Sequence, residues 1–187
     1  MLFRSERAQL DRAINHAVPA MESIERVRGT VAALRQEQQR TLIAALSNDR
    51  AGVEASMVAL RALHAAATEA VKAAEPHLAT AESRARRDAM AMSLADWRLA
   101  AHDVERLLAN GTVDAAKASV NEASASLLNT VDQAAQELLD QQHGLLRDVT
   151  ATAARARTDQ SRANVSMVML LLFGGAFVVV GLRAEAR

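Results

Sequence analysis

The chain has 187 residues and no net charge, its 22 basic residues matching 22 acidic ones, which excludes the concentrated positive field of a nucleic-acid surface. Half of it is apolar but only 2% is aromatic, so Ala, Leu, Val and Met must supply the packing, which suits close helix–helix contact. Cysteine is absent, and with it disulfides and thiolate metal sites.

Between residues 1 and 164 the only helix breakers are Gly29, Gly52, Gly111, Gly144, Pro19 and Pro76, and strong helix formers dominate the rest. Nothing there alternates with period two, so the fold class expected is all-α, with helices at about 6–46, 50–75, 77–109 and 113–164. The first carries a seam of Leu10, Ile14, Ala17, Met21, Ile24, Val27, Val31, Leu34, Leu42 and Leu46, with Pro19 predicted to bend it or mark a joint. Ser47 to Arg50 reads as a short polar connection. The second helix places Val53, Met57, Leu60, His64, Ala67, Val71 and Ala74 on one stripe and should end at Pro76. In the third, Leu78, Ala81, Ala85 and Ala89 give way to Met90, Leu94, Trp97, Ala101, Val104 and Leu108. Asn110, Gly111 and Thr112 then supply a stop and a cap.

The fourth helix is the most regular, with Val113, Ala116, Val120, Ala123, Leu127, Val131, Ala134, Leu138, Leu145, Val149 and Ala153 in step. Four helices with short connections imply an up-down-up-down antiparallel four-helix bundle over residues 6–164. No proline follows Pro76, so helix four is expected to continue into a transmembrane helix at 165–182. That run, Val165 to Leu182, has no charge and reaches about 27 Å as a helix, close to the hydrocarbon thickness of a bilayer. Arg162 and Asn164 flank one end, and Arg183, Glu185 and Arg187 the other, so positive charge gives almost no orientation. Met1 to Arg4 is too short for a signal peptide, and on its face the chain reads as tail-anchored.

Catalytic patterns do not emerge. The histidines His16, His64, His77, His102 and His143 show no metal-binding spacing, and P-loop, GxGxxG and GxSxG stretches are missing. The expectation is a protein that is not an enzyme and carries no cofactor or metal. Polar residues that interrupt the seams are more informative: Arg28, Arg35 and Gln38 in helix one, and His64 in helix two. Counting from the turns at 48 and 111 puts Arg35 about 20 Å below the tip, level with Arg61, His64, Trp97, Arg98, Asn121 and Ser124. A guanidinium presents two parallel donors to a carboxylate, so Arg28, Arg35, His64 and Arg98 are the candidate binding residues for a small anionic ligand.

A long helical bundle leading into a membrane span resembles the periplasmic sensory domain of bacterial methyl-accepting chemotaxis receptors. Local features agree: Asn15 to Ile24 (Asn-His-Ala-Val-Pro-Ala-Met-Glu-Ser-Ile) is similar to the family's small-apolar-Pro-Ala stretch on helix one. Trp97 falls where many members have an aromatic residue, and Asn110 to Ala116 resembles the turn that opens helix four. The resemblance implies a homodimer in the bacterial inner membrane, with residues 6–164 periplasmic, 165–182 in lipid and 183–187 a cytoplasmic stub. It also implies a small ligand or a periplasmic binding protein as partner, and no nucleic acid. Such receptors carry a further span before helix one and a HAMP and signalling region after the second span, so a partial gene product is expected. The same input domain on a histidine kinase or cyclase, and a non-sensing membrane-anchored coiled coil, are the alternatives.

Overall fold

The computed structural model describes residues 2–152, 154 and 155, with side-chain burial from residue 14 onward. Among the described residues the secondary structure is helical, with no strand. The chain divides into two units by internal contact, Asp11–Leu146 and Met1–Leu10 with Arg147–Arg187. In the smaller unit residues 2–10 and 147–152 are helical, and the Thr150 and Thr152 hydroxyls donate to the Arg147 and Asp148 carbonyls at 2.9 and 2.8 Å. The larger unit holds the features discussed below.

Helix α1 spans Leu2–Leu46, α2 spans Arg50–Ala74 and α3 spans Ala81–Ala109. A short α4, Val113–Ser119, passes through a π turn, Val120–Ser124, into α5 at residues 125–152. Pro19, expected to bend the helix or mark a joint, lies inside α1, which continues through it as one helix. Proline costs the helix one hydrogen bond. Ala17 and Ala20 on either side of it are buried, and that packing offsets the loss.

Two turns at one end of the unit use the same device. Asn48, at φ 56°, sits just past α1, and the amides of Asp49 and Asn48 return to the carbonyls of Ala44 and Ala45. Gly111, at φ 76°, does the same after α3, with Thr112 and Gly111 returning to Leu107 and Leu108. Both are left-handed closures that satisfy carbonyls a helix end would strand. Asp49 then caps α2 by accepting from the Gly52 amide at 3.0 Å. Between α2 and α3 the chain turns through a short 3₁₀ helix, Glu75–His77, forced by Pro76. Helix α3 starts at Ala81, four residues later than expected, because Thr80 caps it by accepting from the Ser83 amide at 3.0 Å.

The main core draws on four helices: Ile24, Val27, Val31 and Leu34 of α1, Leu60, Ala67 and Val71 of α2, Met90, Leu94 and Trp97 of α3, and Leu128, Val131 and Leu138 of α5. A second, smaller cluster of Leu42, Val104, Ala116 and Val120 lies toward the two turns. In sequence the buried polar residues Gln38, Thr41 and Ser124 fall between the two. Gln38 donates to the Ser124 hydroxyl, so neither side chain is stranded in the interior.

Two stretches depart from the expected seams. On the last helix the buried positions are Val120, Ser124, Leu128 and Val131, not Val120, Ala123, Leu127 and Val131, and Ala123 is exposed. The π turn supplies the reason: it fits one extra residue into a turn, moving the inward face along by one. Early in α3, Ala81, Ala85 and Ala89 are exposed, while Ser83 is buried and donates to Gln141 at 2.9 Å. The seam there is polar, and an apolar period could not find it. Ile14 and Leu46 at the edges of the α1 seam, and Leu145 in the seam of the last helix, are exposed as well. Among the described residues no helix is long and apolar enough to cross a membrane, and the run at 165–182 lies outside them.

Candidate functional site

The expected binding residues fall into two groups on different helix pairs. Arg28 and Arg35 join α1 to α5. Arg28 Nε donates to Asp132 at 3.2 Å, and Arg35 lies 3.8 Å from the other oxygen of the same carboxylate. A second Arg35 nitrogen donates to the Leu128 carbonyl at 3.2 Å and to the Asn129 side chain at 3.0 Å. Both guanidinium groups are therefore occupied, and one carboxylate holds them together. Arg35 meets Leu128 and Asn129, about one turn from the expected Asn121 and Ser124. Side chains on a helix tilt toward its N-terminus, and the π turn adds a further residue of offset.

His64 and Arg98 sit between α2 and α3. There they line a cavity of about 100 Å³ whose walls mix apolar Met57, Leu60 and Ala101 with Arg61, His102 and Glu105, Trp97 lying behind them almost wholly buried. The His64 ring stacks on the Trp97 indole at 5.6 Å between centroids and 14° between planes. Its Nε2 lies 3.0 Å from the Leu94 carbonyl, which can only accept, so Nε2 carries the proton. Burial holds the His64 imidazole below its usual pKa, the Leu94 contact opposes this, and nearby Arg98 adds to it. A neutral ring with its donor already used is a wall and a support for Trp97, not an anion clamp.

Two groups near this cavity have no protein partner, one buried and one exposed to solvent. Trp97 is 1% exposed, and its indole N–H is buried with no acceptor. Arg98 meets no carboxylate among the described residues, although it lines the same space. Arg61, by contrast, donates to Glu105 at 2.8 Å across the α2–α3 gap. Met57, Arg61 and Glu105 border the cavity on one side and, on the other, a wider cleft of about 770 Å³ that reaches Asn48, Asp49 and Gly111 at the turns. The salt bridge thus stands where the outer cleft meets the inner cavity.

The depth count in the sequence identified Arg61, His64, Trp97 and Arg98 as neighbours, and the structure brings all four to one cavity. It did not identify Asp132 or Glu105. Each lies on the outer flank of its helix, and only the partner helix shows that it neutralises an arginine. Among the described residues there is no cluster of three His, Asp or Glu placed to hold a metal ion. No protein-family model and no curated protein matches the chain.

Proposed function

We propose that the chain is the input module of a transmembrane chemoreceptor, in which an up-down-up-down four-helix bundle senses a small periplasmic ligand and helix four carries the signal into a span at 165–182. The observation that carries this reading is the last helix: it runs to residue 152, and no proline separates it from the uncharged run. A helix is stiff along its axis, so a change of packing in the bundle displaces the segment beyond it. The contact order supports the bundle. As α1 rises through Arg28, Arg35 and Gln38, its partners fall through Asp132, Asn129 and Ser124. From α2 to α3, Arg61 meets Glu105 and His64 meets Leu94. From α3 to α5, Ser83 meets Gln141 and Arg86 meets Glu137. Signalling is then a shift between two packings, driven by the difference in ligand affinity between them. The proposed working form is a homodimer in the bacterial inner membrane.

The test grafts residues 1–187, behind a cleaved secretory signal, onto the HAMP and signalling helices of an unrelated receptor. Output that changes with small organic anions in the medium supports the reading. Retention in the membrane with a fixed output under every anion tried removes it and leaves the second reading, a non-sensing membrane-anchored coiled coil. One observation favours that rival: Arg28 and Arg35 are already committed to Asp132.

A further inference from the structure

We infer that the last helix holds a two-position register switch: the π turn at Val120–Ser124 can move about two turns along the helix, to a second seat between Leu127 and Val131, so that Ala123 and Leu127 replace Ser124 and Leu128 in the core. The switch deepens the sensing reading and rests on it for its purpose, because the slip is the change of packing that a signal would use. The register itself is measured separately.

A π turn holds one more residue than an ordinary helical turn. Moving it along a helix therefore shifts the residues it passes by one place, while those above and below keep theirs. Here residues 123–127 each take the place of the next in sequence. Ala123 enters the place of Ser124, and Leu127 that of Leu128. One exchange keeps a small residue small and the other keeps a leucine, which a packed interior accepts best. The two stripes are both written in this segment. Val120, Ala123, Leu127 and Val131 fall in step as one unbroken seam, yet the structure buries Ser124 and Leu128 between the same two valines.

The sequence also limits the travel. A shift the other way would put Asn121 in the place of Val120 and Lys117 in that of Ala116, and both places are buried. A shift past Val131 would put Thr130 in its place and Glu137 in that of Leu138. Burying such groups without partners is costly, so two seats remain. The seat observed is the favoured one. It buries Leu128 wholly and Leu127 in part, lets Gln38 donate to Ser124, and gives Arg35 the Leu128 carbonyl and the Asn129 side chain. In the second seat these bonds are given up and Arg35 keeps only Asp132, so α1 and the last helix are paired anew between the two clusters of the core. A gap of about 10 Å³ lined by Gln38, Thr41 and Val120 leaves the side chains there room to move.

Relaxation dispersion on the full chain in detergent micelles, ¹³C-labelled at its leucine methyls, reads exchange on the μs–ms scale. Exchange with a minor state of roughly 1–10% is expected at Leu127 and Leu128, and none at Leu34 or Leu138, whose places do not change. Ala123→Glu alters an exposed residue in the observed register but buries a charge in the second, so it should abolish the exchange without lowering the thermal midpoint. Ser124→Ala removes the hydroxyl that Gln38 donates to, and should raise the minor population roughly two- to tenfold, the range for one neutral hydrogen bond. Gln136→Ala, exposed on the same helix beyond the second seat, should leave the exchange as it is. The switch is overturned by flat dispersion at both leucines, by exchange that persists in Ala123→Glu, or by an unchanged population in Ser124→Ala. Exchange that Ala123→Glu abolishes, with a fixed output in the grafted receptor, would instead sink the sensing reading and leave the switch standing.

Discussion

Between α1 and α5, Arg28 and Arg35 close on Asp132, and Gln38 closes on Ser124. Between α2 and α3, Arg61 closes on Glu105 near the surface, while the buried Trp97 indole N–H has no acceptor and the exposed Arg98 forms no ion pair among the described residues. The same residue types thus serve two ends. On the first side, polar groups are consumed in fixing which helices pair and in what register. On the second, part of them is left unpaired, one buried at Trp97 and one exposed at Arg98. Counting arginines on a seam does not separate these cases; counting their partners does.

The largest expected effect sharpens this contrast in packing. Leu34→Ala, in the fully buried α1 seam, should lower unfolding free energy by about 3 kcal/mol in urea titration. Leu60→Ala, which borders the cavity and already lacks some neighbours, should cost closer to ~2 kcal/mol. Equal losses would mean that the two sides are packed alike. Next in size, Ala101→Leu adds carbon to empty space without breaking helix preference, and should raise stability by about 1 kcal/mol in urea titration. Lower stability in that variant would show that the space is not free to be filled.

Asp132→Asn removes the charge that two arginines share. These groups are over a third exposed, so solvent screening limits the loss to under about 1 kcal/mol, readable as a small drop in thermal midpoint. The smallest effect is the pH dependence of His64. Its folded pKa is below the unfolded value of 6.5, so the unfolded state binds more protons between the two. Stability is therefore complete above about pH 6.5 and declines as pH falls through that window. His64→Gln should flatten this slope in urea midpoints measured across pH 5 to 7, relative to the parent chain; an unchanged slope would assign it to other histidines.

Much of the core was legible in the sequence. The seams of α1 from Ala17 to Leu34, of α2 apart from His64, and of α3 from Met90 onward are apolar at helical spacing, and they are buried except at Met21, Val53, Ala101 and Leu108, which are partly so. The reading slipped where the period itself changed, at Ala123, and where inward positions are not apolar, at Ser83. A mid-helix π turn has no residue signature in Val-Asn-Glu-Ala-Ser, since it comes from how the flanking turns pack. The candidate site was half legible for a related reason. Depth along antiparallel helices put His64 beside Trp97 and Arg98, because a rise of about 1.5 Å per residue is common to all helices. Rotation about the axis is what brings Asp132 to Arg28, and one helix's pattern carries no record of its neighbour's outer flank.

The π turn at Val120–Ser124 also bears on how this chain tolerates insertions and deletions. Losing one residue from a regular helix rotates everything beyond it by about 100°, swinging the apolar stripe out of the core. Losing one residue within this turn instead restores the ordinary hydrogen-bond ladder and leaves Leu128, Val131 and Leu138 facing inward. At this place, length and core register are uncoupled, so a one-codon deletion there is the change the interior would tolerate.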